Sequence, residues 1–191
     1  MKKALLIAAA VIVLTPAALA LLGVVLGHEK ITTHPVAGTV REIVVNSDSG
    51  DVRFIRTGTR VQVRETQHYV LRKPTLEQDL TDGVLTLETD CDTFFFNCST
   101  DLRVTVPAGV RINVQADSGD VHIQARGRPR RLVADTDSGD VHVRAPTGDY
   151  AVDTETDSGD IEIDRAIIRD DRAPRSIQAH TDSGDVTLDA G

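Results

Sequence analysis

Four aspartates, Asp120, Asp140, Asp160 and Asp185, each follow a Ser-Gly pair and precede a Val or Ile. Carboxylates repeated at near-constant spacing are candidate Ca²⁺ ligands. If the units that carry them stack, equivalent side chains lie about 4.8 Å apart, a separation a bridging hard cation can use. The rival reading is structural: Asp side chains accept hydrogen bonds from turn N–H groups, which would offset a like-charge repulsion of about 1 kcal/mol per adjacent pair in water. His122, His142 and Glu162 share the outward offset two residues later. Stacked, they would offer imidazole and carboxylate donors to Zn²⁺, although exposed histidines on neighbouring strands need no metal. Ser138 beside Gly139 and Asp140 has the look of a nucleophile, but Ser49, Ser118, Ser158 and Ser183 repeat it. A catalytic serine has no reason to occur five times. No phosphate loop or helical His/Glu zinc motif is present, so the chain reads as a non-enzyme, with no cofactor unless the aspartates hold Ca²⁺.

The elements that must position these residues follow from the same repeat. Asp-Ser-Gly-Asp begins at Asp48, Asp117, Asp137, Asp157 and Asp182, and the last four starts are 20, 20 and 25 residues apart. A period near 20 is the signature of stacked supersecondary units. Apolar residues alternate on both sides of each motif, as in Leu132, Ala134 and Thr136 before it and Val141, Val143 and Ala145 after it. Period two around a Ser-Gly turn means strand, turn, strand with one face buried. Gly50, Gly119, Gly139, Gly159 and Gly184 are the turn glycines, placed where the backbone needs positive φ. The expected fold is all-β, a β-solenoid-like stack of repeats. The alternative is an antiparallel β-meander sandwich, in which Ser-Gly closes a hairpin, Thr136 faces Val141 and Asp137 faces Asp140, an unfavourable charge pair.

A net charge of −8 lacks the clustered cations that nucleic acid demands. With aromatic residues at 3 %, the core must be aliphatic, which suits thin stacked layers. Lys2 and Lys3 precede an apolar run from Ala4 to Gly27, long enough to cross a hydrocarbon core of roughly 30 Å. The run reads as an uncleaved membrane anchor with a cytoplasmic N-terminus. A signal peptide cut after Ala20 is the rival, set against the apolar residues from Leu21 to Gly27. The domain plan is therefore 1–27 anchor or signal, 28–38 linker, and 39–191 an extracytoplasmic β-repeat domain.

The interval between Asp48 and Asp117 has room for about two more units. Arg60–Arg64 and Val84–Glu88 alternate as strands, whereas Tyr69–Leu80, with Pro74, reads as a loop or irregular edge. Cys91 and Cys98 are the only cysteines, and in an exported domain they are expected to form a disulfide. The segment they enclose carries Phe94, Phe95 and Phe96, which either pack beside the core or form a tip that contacts a partner. Arg165–Arg175 lengthens the last interval and reads as a solvated loop. Because the chain stops just after the fifth motif, the C-terminal strand is expected at an open sheet edge, available for self-association or a partner strand.

Leu102-Arg-Val-Thr-Val-Pro-Ala-Gly-Val110, an alternating strand, then Ser118-Gly-Asp-Val121 resemble the putative-adhesin family of bacterial β-strand-repeat proteins, of the toast-rack type. The resemblance spans roughly Thr39 to the C-terminus. It implies a membrane-anchored envelope domain, and it carries over no catalytic residues. The function expected is an adhesin or surface-binding scaffold. The alternatives are a regulatory module of the envelope stress response acting through a membrane partner, or a structural envelope subunit.

Overall fold

The alternating segments form sixteen strands in the computed structural model, which describes residues 27–56, 59–91, 98–125, 127 and 129–191. The first eight are β1 His28–Pro35, β2 Glu42–Ser47, β3 Val52–Ile55, β4 Gln62–Tyr69, β5 Thr75–Thr81, β6 Val84–Asp90, β7 Cys98–Thr105 and β8 Arg111–Ser118. The others are β9 Val121–Gln124, β10 Arg131–Ser138, β11 Val141–Ala145, β12 Gly148–Ser158, β13 Ile161–Ile163, β14 Ile167–Arg169, β15 Ser176–Ser183 and β16 Val186–Ala190. Among the described residues no helix is long and apolar enough to cross a membrane. The N-terminal run, apart from Gly27, lies outside them.

Two eight-stranded sheets face each other. One runs β1-β4-β7-β3-β9-β11-β16-β13 and the other β14-β12-β15-β10-β8-β2-β6-β5. Each motif is the corner at which the chain leaves the second sheet and enters the first. The two strands flanking a motif therefore lie in different sheets, and the hairpin that would set Asp137 against Asp140 does not form. Instead, equivalent residues of different repeats pair in parallel: Ile112 with Leu132, Val114 with Ala134, and Ser118 with Ser138. Val121 likewise pairs with Val52 and Val141, and Val141 with Val186. Inward residues from both sheets, among them Ile43, Val45, Leu132 and Ala134 against Phe54, Val121, Val143 and Leu188, are buried. Each fully buried Val, Leu or Ile contributes about 1.5–3 kcal/mol by leaving water. Wide alternation with small aliphatics keeps the layers thin.

The stacking order departs from the chain order. The fifth repeat, β15 and β16, is inserted between the third (β10 and β11) and the fourth (β12 and β13). Arg165–Arg175 supplies the reach for this step. It is not merely a loop, since Ile167–Arg169 adds β14 beside Gly148–Tyr150, while Arg169 to Arg172 stay exposed. The C-terminal strand is consequently interior, between β11 and β13, and the expected open edge at the C-terminus is corrected. The free edge belongs to β13, where Ile161 is 43 % exposed although its counterparts Val121, Val141 and Val186 are fully buried.

Three further expectations change. His28–Pro35 is a strand, not a linker, paired antiparallel with β4 along its whole length. Thr75–Thr81 is a strand paired antiparallel with β6, with Pro74 just before it, where no ladder N–H is needed. The long interval holds one additional unit, β6 and β7, plus the antiparallel strands β4 and β5, which with β1 close this end of both sheets.

Candidate ligand-binding face

The additional unit is a sixth, degenerate copy of the motif. Leu102 pairs with Val52, so Ser99-Thr100-Asp101-Leu102 stands where Ser49-Gly50-Asp51-Val52 does. Cys91 and Cys98 are disulfide-bonded, with Cα atoms 5.7 Å apart, and they flank this corner, so the expected pairing is found. The Cys91 N–H donates to Asp48 Oδ2 at 3.1 Å, and the Ser49 hydroxyl to the Cys98 carbonyl at 3.0 Å. Phe94, Phe95 and Phe96 lie outside the described residues.

The aspartates do come together, in the order Asp160, Asp185, Asp140, Asp120, Asp51, Asp101. The Asp160 N–H donates to Asp185 Oδ1 at 2.9 Å, Asp185 to Asp140 at 2.8 Å, and Asp140 to Asp120 at 2.9 Å. The row continues with Asp120 to Asp51 at 3.1 Å and Asp51 to Asp101 at 3.0 Å. Each carboxylate thus neutralises the backbone of the next unit, a charge-assisted bond stronger than a neutral one. The acceptor role expected for these side chains is filled, but across units and not within a turn. Asp51 and Asp101 extend the row beyond the four residues singled out from sequence. Among the described residues no group of three or more His, Cys, Asp or Glu is placed to hold a metal ion.

The turn glycines make a second row. A Cβ on Gly139 would stand 2.3 Å from the Gly119 carbonyl oxygen, and one on Gly119 would stand 2.4 Å from that of Gly50. Both residues also have φ between +120° and +139°, a region essentially reserved for glycine. Thr136 and Thr181 donate to the carbonyls of Gly119 and Gly139 at 3.3 and 2.9 Å. The serines sit in the same corners and serve the stacking through their backbone carbonyls, which accept from the glycine N–H of the next unit, as Ser138 does from Gly119 and Ser183 from Gly139.

What remains is the outward face of the first sheet. His122 and His142 are neighbours there, with ring centroids 5.8 Å apart. Glu162 does not join them, because the insertion of the fifth repeat puts Thr187 between His142 and Glu162. The expected His/His/Glu set is therefore not assembled. In the other direction the row continues with cations: His122 pairs with Arg53, Arg53 with Arg103, and Arg103 with Arg64. All three arginines are exposed. Arg53, Arg64 and Arg103 line a surface depression with Thr66, Asp51 and Asp101, and Arg53 is shared with a second depression lined by His122, Gln124, His142 and Arg144. Like charges at about 5 Å repel by roughly 0.8 kcal/mol in water. Among the described residues none of the three arginines has an ion-pair partner, whereas His142 and Arg144 share Asp189 at 3.0 and 3.4 Å. Asp101 is engaged by His68 at 3.4 Å as well as by the Asp51 N–H. Burial first, then the Arg53 charge, holds the His122 pKa below the ordinary histidine range, with Asp120 opposing.

This cationic row was not singled out from the sequence. Arg53 occupies the same place after its motif as His122 and His142, a signal available but unused, whereas Arg103 is recognisable only once the degenerate copy is, and Arg64 only from the antiparallel pairing.

Across the two sheets, residues 40–189 match the model of the Toastrack DUF4097 domain. The chain belongs to that family. Among solved structures, this Toastrack chain is similar to a "putative cell adhesion protein" from Clostridium sporogenes, 11 % identical, covering 86 % of this chain and 100 % of that one with a TM-score of 0.54. A "putative adhesin" from Parabacteroides distasonis is also 11 % identical over 85 % and 97 %, with a TM-score of 0.34. No curated protein matches significantly. At that identity the Clostridium sporogenes structure shows a shared fold alone.

Proposed function

We propose that this Toastrack chain is a non-enzymatic, adhesin-type binding scaffold of the cell envelope, held at the membrane by residues 4–27 and presenting the first sheet to a ligand. The observation that supports it most is the use made of the repeated polar residues. The glycine and the closing aspartate of the motifs are committed to stacking units, and the outward rows of the first sheet present side chains for recognition. The name carried by the Clostridium sporogenes neighbour points the same way. Strand pairing of β1 from His28 onward gives the tether almost no slack, so the scaffold would stand close to the membrane.

The test places a photo-crosslinking residue at Thr66, on the first sheet, and at Glu155, on the second, in the full chain in living cells. A discrete adduct at Thr66 and none at Glu155 is expected, together with labelling of Glu155→Cys in intact cells by a membrane-impermeant maleimide. Equal adducts at both sites, or none at either, would overturn the reading, as would labelling only after lysis.

A further inference from the structure

The geometry points to the row Arg64, Arg103 and Arg53 as the binding site for a linear phosphate polymer laid across the strands. The inference rests on the scaffold reading and names the ligand of its exposed face. Three exposed guanidinium groups follow one another on β4, β7 and β3, each pair in register, at about 4.8 Å per strand. A chain of net charge −8 places three unpaired cations side by side, with both neighbouring carboxylates already bonded. Asp51 accepts the Asp120 N–H, and Asp101 accepts the Asp51 N–H and faces His68.

The arginine fork matches phosphate oxygens in pairs, which a lysine ammonium cannot do. His122 and His142 continue the row to β11, so the track spans five strands, about 19 Å by the same strand spacing. A straight track of that length favours several phosphates in line, since a single lipid headgroup would reach only one step of it. Asp189 ends the free positive potential by pairing with His142 and Arg144.

The test uses the full chain in phosphatidylcholine nanodiscs, titrated with short linear inorganic polyphosphate. Binding is expected, with log Kd against log salt giving a slope magnitude near 2, from about 0.7 per phosphate contact on a flexible strand. Arg53→Gln/Arg103→Gln should weaken binding at least about ten-fold and cut the slope to about 0.7. Arg53→Lys/Arg103→Lys should fall between, and Arg169→Gln/Arg172→Gln, with the same charge change elsewhere, should match the wild type. Unchanged melting temperatures establish that the variants fold. No polyphosphate binding, or binding insensitive to Arg53 and Arg103, overturns the proposal. Arginine-dependent flotation with phosphatidylglycerol vesicles but no polyphosphate binding also overturns it, in favour of a lipid surface. A Thr66 adduct that survives in the double Gln variant would sink the phosphate ligand while leaving the scaffold reading intact.

Discussion

Replacing Gly139 by Ala should destabilise the fold far more than one methyl group suggests. The new Cβ would lie 2.3 Å from the Gly119 carbonyl oxygen, and relief to ordinary contact requires the units to separate by roughly 1 Å. Three bonds cross that junction: Gly119 N–H to Ser138 O at 2.8 Å, Val121 N–H to Asp140 O at 2.9 Å, and Asp140 N–H to Asp120 Oδ1 at 2.9 Å. Weakening them forfeits up to about 1 kcal/mol each. The φ of +139° adds about 1–3 kcal/mol for a residue with a side chain. The sum, up to about 4–6 kcal/mol, is a large share of a total of roughly 5–15 kcal/mol. Gly109→Ala is the control, because φ is +88° there but nothing lies within 4 Å of the added Cβ, so only the backbone cost of about 1–2 kcal/mol applies. Thr100 already carries a Cβ at the same corner of the terminal unit and is fully buried, so Thr100→Gly should cost about 1–3 kcal/mol through lost packing and backbone entropy, with no gain from relieving a clash. Urea titration followed by far-UV circular dichroism measures all three. Equal losses for Gly139→Ala and Gly109→Ala would refute the account of the glycine row.

Further expectations follow from the corners and the cationic face. Melting temperatures in EDTA and in millimolar Ca²⁺ should coincide, because backbone N–H groups already occupy the Asp row; a rise of several degrees with Ca²⁺ would contradict this. The His122 pKa is depressed in the folded state, so the folded chain binds fewer protons than the unfolded one. Its stabilising contribution is complete above the unfolded value of about 6.5 and is lost as pH falls below it. His122→Gln should flatten the stability profile between about pH 7 and 5, and an unaltered slope from urea melts would count against that origin. Reduction of Cys91–Cys98, or Cys91→Ser/Cys98→Ser, opens a short loop at the terminal corner and should cost about 2–3 kcal/mol, read as a lower urea midpoint. A midpoint unmoved by reductant would mean that strand pairing alone holds that corner.

Much of the architecture was legible in the order of residues. Alternation of Leu132, Ala134 and Thr136, then Val141 and Val143, marks buried faces because a strand places successive side chains on opposite sides. Glycine between Ser and Asp marks the corner because only glycine accepts both the positive φ and the adjoining carbonyl. The Asp120 to Asp185 row was foreseeable as a column of charges needing partners. The degenerate copy at Ser99–Leu102 was readable too, but Thr100 hid it: at the terminal unit no further carbonyl presses on that position, so the glycine that announces the other copies is not required.

By itself, then, the sequence determined strands, corners, the aliphatic interior and the cysteine pair, all local consequences of side-chain period, φ and covalent chemistry. Tertiary structure alone decided the order of the units. Near-identical repeats present near-identical edges, so nothing in the fifth copy forbids its pairing between the third and the fourth, and only the complete set of ladders selects that arrangement. The same choice separates Glu162 from His142, draws the C-terminal strand inside, and exposes Ile161 at the free edge. The row of Arg64, Arg103 and Arg53 likewise exists only in space, because one member comes from a recognised repeat, one from the degenerate copy, and one from an antiparallel strand that closes the stack.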